Sequence, residues 1–157
     1  MNIIIKNRKE AAKMIFGDNE MVFSINTPGM TENPINAKNK HYMFFDDIDD
    51  NYNVPIIGHY QSSYKPVYFN NDMAIQALAY LDFALESNIS TIYIHCDQGI
   101  SRSPGMAVGF CKILGLDYEF FYKNYKPNDL VTNVLVSVFS SKYSKFKNIS
   151  NFRKKQK

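Results

Sequence analysis

A cysteine and an arginine with five residues between them are the part of this sequence best suited to chemistry. They belong to the segment His95-Cys96-Asp97-Gln98-Gly99-Ile100-Ser101-Arg102-Ser103. A loop of this length turns successive backbone N–H groups toward one bound oxyanion, and a central glycine permits the positive φ that a tight loop requires. We therefore predict an anion-binding loop whose substrate-binding residues are Asp97, Gln98, Gly99, Ile100, Ser101 and Arg102.

The two residues that bound this loop have complementary chemistry. A helix that begins near Ser103 would aim its positive N-terminus at the bound anion, and the same field favours a thiolate over a thiol at Cys96. Arg102 carries a planar fork of donors that fits two phosphate oxygens, which lysine cannot match. Only three of the 18 basic residues are arginines. We therefore predict Cys96 as a nucleophile and Arg102 as a phosphate clamp.

The elements on either side of the loop are predicted to hold it in place. Residues 91–94 are β-branched or aromatic throughout, which is typical of a central strand buried on both faces, and this strand ends at His95 and Cys96. Residues 103–114 have a helical pattern, with Pro104 in the first turn and Gly115 as the stop. The loop is thus predicted to join a buried strand to a helix.

The rest of the chain continues this alternation of short apolar strands and helices. We predict further strands over residues 3–5, 21–25 and 41–45, further helices over 9–16, 72–87 (with Asn71 as N-cap) and 129–140, and a long surface loop over 51–68. Asn128 is expected to cap the last of these helices, and contact with the anion-binding loop is the alternative. This order predicts an α/β fold with one domain and a central, mostly parallel sheet of about four to five strands flanked by helices.

Composition places the chain among soluble globular proteins. Hydrophobic residues make up 45% of its 157 residues and aromatic residues 15%, which is outside the range of disordered chains. Residues 1–16 lack the apolar core of a signal peptide, and no segment approaches the roughly 18 apolar residues of a membrane span. We expect a soluble cytoplasmic protein.

Two cysteines, Cys96 and Cys111, are too few for a disulfide scaffold and lack the spacing of a zinc site. We therefore predict no metal and no cofactor. Cys111 falls about two turns along the helix from Arg102, at roughly 12 Å, and is interpreted as a core residue.

The basic residues are concentrated at the C-terminus. Residues 142–157 contain seven basic residues and no acidic one, so residues 1–141 carry 11 basic against 15 acidic residues. We predict a domain over residues 1–146 and a basic tail over 147–157. Such a tail is most often solvated, and weak contact with an acidic partner or a nucleic acid is the alternative.

The segment HCDQGISRS resembles the signature loop of the cysteine-dependent dual-specificity and tyrosine phosphatases, and its Ser101-Arg102-Ser103 ending is more similar to the dual-specificity members. The resemblance extends loosely from Val22 to Val138 in the order of elements. It implies a hydrolase of phosphotyrosine in proteins, with phosphoserine and phosphothreonine as further candidates, that forms a phosphocysteine at Cys96. It also implies that Ser103 stabilises the departing thiolate, and that His95 orients the loop and favours the thiolate.

Such a reaction needs a general acid to protonate the leaving oxygen. An acidic cluster, Asp46, Asp47, Asp49 and Asp50, follows the third predicted strand. Some phosphatases that the loop resembles have a Phe-Asp-Asp run in which the second Asp is the acid, and this implies Asp47. Asp46 and Asp49 remain alternatives.

Three other functions are compatible with the loop. The first is a phosphoinositide or RNA 5′-phosphatase with the same mechanism, although Asp97 and Gln98 stand where loops for such polyanions are expected to carry lysines. The second is a catalytically silent module that binds phosphorylated partners. The third is a sulfur-transfer or arsenate-reducing enzyme; arsenate reduction generally needs a second or third cysteine within reach, and Cys111 is badly placed for it.

Overall fold

The computed structural model describes residues 1–49 and 65–156, and it confirms the predicted α/β fold with a single domain. The elements in chain order are β1 (Asn2–Asn7), α1 (Arg8–Lys13), β2 (Glu20–Asn26), β3 (Asn39–Phe44), α2 (Asn71–Glu86), β4 (Thr91–Cys96), α3 (Arg102–Leu114), α4 (Glu119–Asn124), α5 (Asp129–Ser141) and α6 (Lys147–Lys155). The four strands of the described chain pair in parallel in the order β1-β4-β2-β3. Most of the predicted loop over 51–68 lies outside the described residues.

Strands β2, β3 and β4 alternate their side chains between two apolar layers. On one face, Phe23 and Ile94 join the main core, which α2, α3, α5 and α6 cover. On the other face, Val22 and Tyr93 pack with a smaller cluster that includes Ala11 of α1. The central strand β4 is therefore enclosed on both sides, as its β-branched sequence predicts.

The helix ends show why these segments stop where they do. The predicted N-cap of α2, Asn71, is wrong: Asn70 is the cap, because its Oδ1 accepts hydrogen bonds of 3.1 Å from the N–H groups of both Asp72 and Met73. Helix α3 ends as predicted at Gly115, which adopts a left-handed φ of 74°. In the described chain no helix combines the length and the apolar character that a bilayer span requires.

The predicted basic tail over 147–157 is in fact mostly a packed helix. Ile149 of α6 is fully buried, and the N–H of Ile149 and the Nδ2 of Asn148 both donate to the Asp82 carboxylate of α2, each at 2.9 Å. Lys154 and Lys155 remain exposed on the outer side. The basic residues of this segment alternate with apolar ones, and for this reason the apolar face that begins at the buried Phe146 was not predicted.

Helices α3 and α5 approach each other closely at a glycine. A Cβ atom placed on Gly105 would lie 2.5 Å from the backbone oxygen of Asn128 and 2.9 Å from its nitrogen. The hydroxyl of Thr132 also donates to the Gly105 carbonyl at 2.8 Å. Only glycine allows this contact.

Gly105→Ala should therefore lower the free energy of unfolding by about 1–3 kcal/mol, because the methyl group pushes against backbone atoms. Gly109→Ala is the matched control: it lies one turn further along α3, and its Cβ would meet side-chain rather than backbone atoms, Leu135 Cδ1 at 2.7 Å and Cβ at 3.2 Å. Urea unfolding of both variants measures the difference. Equal losses would show that the backbone contact at Asn128 costs no more than the side-chain contact at Leu135.

Candidate active site

The predicted anion-binding loop joins the end of β4 to the start of α3. Cys96 is the last residue of β4, and only 3% of it is exposed. Its Sγ lies 3.2 Å from the Ser103 Oγ and accepts a hydrogen bond of 3.3 Å from the Gly99 N–H. These contacts supply the donors that a thiolate at Cys96 needs.

Two features of the loop, its conformation at Gly99 and the start of α3, suit the binding of an anion. Gly99 has the predicted positive φ, 73°, and a Cβ there would come within 2.9 Å of the Lys6 carbonyl oxygen. Ser101, the N-cap of α3, makes no side-chain cap hydrogen bond. The N-terminus of α3 is therefore not capped by its own side chain, and its N–H groups are left for a ligand.

Arg102 is held by groups from the loop itself and from the segments that follow β2 and β3. It is 5% exposed, and its Nη1 donates to the Phe45 carbonyl at 2.9 Å and to the Thr27 Oγ1 at 3.2 Å. Its Nη2 donates to the Asp97 Oδ2 at 2.6 Å, and the Thr27 hydroxyl donates to the same oxygen at 2.8 Å. Thr27 and Asp97 thus close a ring of hydrogen bonds on the Nη1–Nη2 edge of the guanidinium.

The opposite, Nε–Nη2 edge keeps unused donors. The Nε of Arg102 is buried and has no hydrogen-bond partner among the described residues. Arg102 lines a pocket of about 230 Å³ together with Asp47, Cys96, Asp97, Gln98, Ile100 and Ser101. A buried donor without a partner is costly, and a bidentate oxyanion in this pocket would satisfy it.

Asp47 is the member of the acidic cluster that the fold brings to this pocket. Its Oδ1 accepts hydrogen bonds from the Ser101 hydroxyl at 2.7 Å and from the Asn128 Nδ2 at 3.0 Å. Asn128 also caps α5, as predicted, by accepting from the Val131 N–H at 3.1 Å. One asparagine therefore both caps a helix and positions Asp47.

The alternative acids lie elsewhere. The Asp46 carboxylate accepts from the Val67 N–H at 2.8 Å, and the Asp46 N–H donates to the Val67 carbonyl, also at 2.8 Å. Asp49 lines a neighbouring pocket of about 550 Å³, and Asp50 lies outside the described residues. Of the described cluster, Asp47 alone lines the pocket that contains Cys96.

His95 is fully buried beneath the loop, and burial lowers its pKa to about 4. Its Nε2 lies 3.4 Å from the Asn33 Nδ2, which can only donate, so Nε2 accepts and Nδ1 carries the proton. Nδ1 lies 3.4 Å from the Cys96 carbonyl. The neutral imidazole contacts the Cys96 carbonyl at the start of the loop and brings no positive charge to Cys96.

His95 should make the protein less stable in acid. The unfolded chain binds a proton at this histidine below a pH of about 6.5, whereas the native state binds one only near pH 4, so stability falls as the pH falls through this window. Between pH 7 and pH 5 the loss is about 2 kcal/mol.

Urea unfolding at both pH values should show this loss, and His95→Gln should reduce the difference between them. If the variant does not fold, NMR titration of the wild-type ring gives the same information. A His95 ring that titrates near pH 6.5 in the native protein would contradict the assignment.

Several residues around the site had no sequence signal. Thr27 and Asn33 follow β2 and reach the loop only through the pairing of β2 with β4.

Cys111 is a core residue, as predicted: it is 3% exposed, and burial followed by the charge of Asp117 raises its pKa to about 12. The described residues contain no group of three or more His, Cys, Asp and Glu side chains placed to hold a metal ion.

Comparison of the chain with protein-family models, with curated proteins and with solved structures gives no match.

Proposed function

We propose that this protein hydrolyses phosphate monoesters without a metal, through a phosphocysteine at Cys96. The observation that carries the proposal is the buried Arg102 Nε without a partner, beside Cys96 and the uncapped start of α3 in one pocket. A phosphoryl group there accepts hydrogen bonds from the Nε–Nη2 edge and from the loop N–H groups. Such donors stabilise the charge on the phosphoryl oxygens in the transition state.

In the first step the Cys96 thiolate attacks phosphorus. The sulfur–phosphorus bond forms as the bond to the leaving oxygen breaks, and Asp47 protonates that oxygen. In the second step water attacks phosphorus and the Asp47 carboxylate accepts its proton, while the sulfur–phosphorus bond breaks to release inorganic phosphate and the Cys96 thiolate. The Ser103 hydroxyl, 3.2 Å from Sγ, stabilises the thiolate that is released.

The proposed substrate is phosphotyrosine in proteins, with phosphoserine and phosphothreonine as further candidates. Ile100, 45% exposed, offers an apolar surface at the pocket to the part of the substrate that bears the phosphate. The neighbouring pocket holds Asp47, Asp49 and Asp129 against a single lysine, Lys126. This excess of negative charge disfavours inositol phosphates and RNA 5′ ends.

We place the protein in the cytoplasm, because its reducing environment keeps a nucleophilic thiol from forming a disulfide.

The proposal is tested with an aryl phosphate in the presence of a strong metal chelator. The wild type should turn over, and Cys96→Ser should lose at least about 10⁴-fold in kcat, since the nucleophile is gone, while it still binds inorganic phosphate. Arg102→Lys should lose both turnover and phosphate binding, because a point charge cannot replace the fork.

The Cys111→Ser variant is the matched control, because Cys111 is the other cysteine and lies in the core. It should keep kcat even if its stability changes. Activity that disappears with the chelator and returns with a divalent ion, or near-normal turnover by Cys96→Ser, would refute the mechanism. Phosphate binding without turnover by the wild type would favour the silent binding module.

Asp47→Asn should slow phenyl phosphate far more than an activated aryl phosphate. General acid catalysis is worth about 10² to 10⁴-fold, and a good leaving group needs less of it. Asp49→Asn is the control on the same loop, and it should change both rates little. Equal losses on the two substrates for Asp47→Asn would mean that Asp47 only holds Ser101 and Asn128.

A further inference from the structure

The Asp97 carboxylate lies between two guanidinium groups. Its Oδ2 accepts from the Arg102 Nη2 at 2.6 Å, and its Oδ1 lies 3.5 Å from the Arg8 Nη1. Burial opposes ionisation of Asp97, but the hydrogen bonds from Thr27 and Arg102 and the charges of both arginines outweigh it, so its pKa lies below the ordinary value. Asp97 is therefore an anion that links Arg8 to Arg102.

Arg8 is itself fixed by the fold. Its Nη1 donates to the Asn26 Oδ1 at 3.0 Å, its Nη2 donates to the Thr31 carbonyl at 2.6 Å, and its backbone N–H donates to the Asp97 carbonyl at 3.2 Å. The two partners of its side chain come from β2 and the segment after it, and the partner of its backbone comes from the loop. Arg8 thus joins the end of β1, the end of β2 and the first residue of the loop.

The direction of these contacts decides what Asp97 can do. Its carboxylate occupies the Nη1–Nη2 edge of Arg102, together with Thr27, and leaves Nε without a partner among the described residues. A carboxylate repels a phosphate that approaches it, so direct binding of phosphate by this side chain is unfavourable. Asp97 instead sets the plane and rotation of the guanidinium.

We propose that Arg8 and Asp97 are positioning residues that act in series, Arg8 through Asp97, to aim the Nε–Nη2 edge of Arg102 at the phosphoryl group. This inference rests on the proposed function. Aim matters most for the transition state, where a misplacement of about 1 Å costs on the order of 10²-fold in rate. When Arg102 loses this positioning, the affinity for a transition-state mimic should therefore fall more than the affinity for a ground-state anion.

The test uses vanadate as the transition-state mimic and inorganic phosphate as the ground-state ligand, with both affinities measured by calorimetry on the full chain. The ratio of the two affinities largely cancels the change in net charge, which acts on both anions. Asp97→Asn should lower the ratio, and kcat on an aryl phosphate, by about 10- to 100-fold. Arg8→Gln should lower both by about 3- to 10-fold, a smaller loss because it acts through Asp97.

The double variant separates positioning from mere structural support. Because Arg8 acts through Asp97, Arg8→Gln should lower the ratio and kcat by no more than about 2-fold when Asp97 is already Asn. Lys9→Gln, the same loss of charge at the next, exposed position, is the control and should change neither quantity. Thermal unfolding of each variant shows whether it is folded.

The outcomes distinguish this inference from the proposed function. Losses that multiply in the double variant, or a ratio that stays constant while only thermal stability falls, would overturn the positioning role and leave the hydrolase intact. Coupled losses in the ratio with no turnover by the wild type would retain the positioning role and reject the hydrolase. Phosphate affinity that falls as much as vanadate affinity in Asp97→Asn would also overturn the positioning role.

Discussion

A buried guanidinium requires compensation, and the arrangement around Arg102 supplies it incompletely. Burying a charge is unfavourable unless it is paired and hydrogen-bonded. Asp97 provides the paired charge, and Thr27 and the Phe45 carbonyl provide hydrogen bonds, but Nε has no partner among the described residues. The three supporting groups come from the loop, the end of β2 and the end of β3, so the sheet must form before the arginine is held.

The packing of α3 on α5 determines the position of the segment before α5, which contacts the loop and Asp47. The Lys126 N–H donates to the Ile100 carbonyl at 3.0 Å, and the Asn128 N–H donates to the Ser101 carbonyl at 3.1 Å. The segment before α5 therefore docks on the loop through its backbone. Since Asn128 also binds Asp47, the close contact at Gly105 helps to determine where the proposed acid lies.

The sequence predicted what depends on neighbouring residues and missed what depends on distant ones. The strand, loop and helix around Cys96 were predicted because the hydrophobic pattern and the positions of glycine and proline report the conformation of neighbouring residues. Thr27 lies 70 residues from Asp97, and only the parallel pairing of β2 with β4 brings them together. Arg8 was not among the predicted site residues, because nothing nearby in the chain indicates that it reaches Asp97. Helices α4 and α6 were missed because tyrosines or lysines obscure their apolar faces.

Under the proposed function, the charges around the pocket favour one phosphate group over several. Arg8, Asp97 and Arg102 together carry a formal charge of +1, and the start of α3 adds roughly half a positive charge. His95 adds none near neutral pH, because burial keeps it neutral. The thiolate proposed at Cys96 offsets one of these charges, so a net charge of roughly +0.5 faces the charge of about −2 on a phosphate monoester. A second phosphate would find Asp47, Asp49 and Asp129 in the neighbouring pocket with only Lys126 to oppose them, and for this reason the site suits one isolated phosphate better than a polyanion.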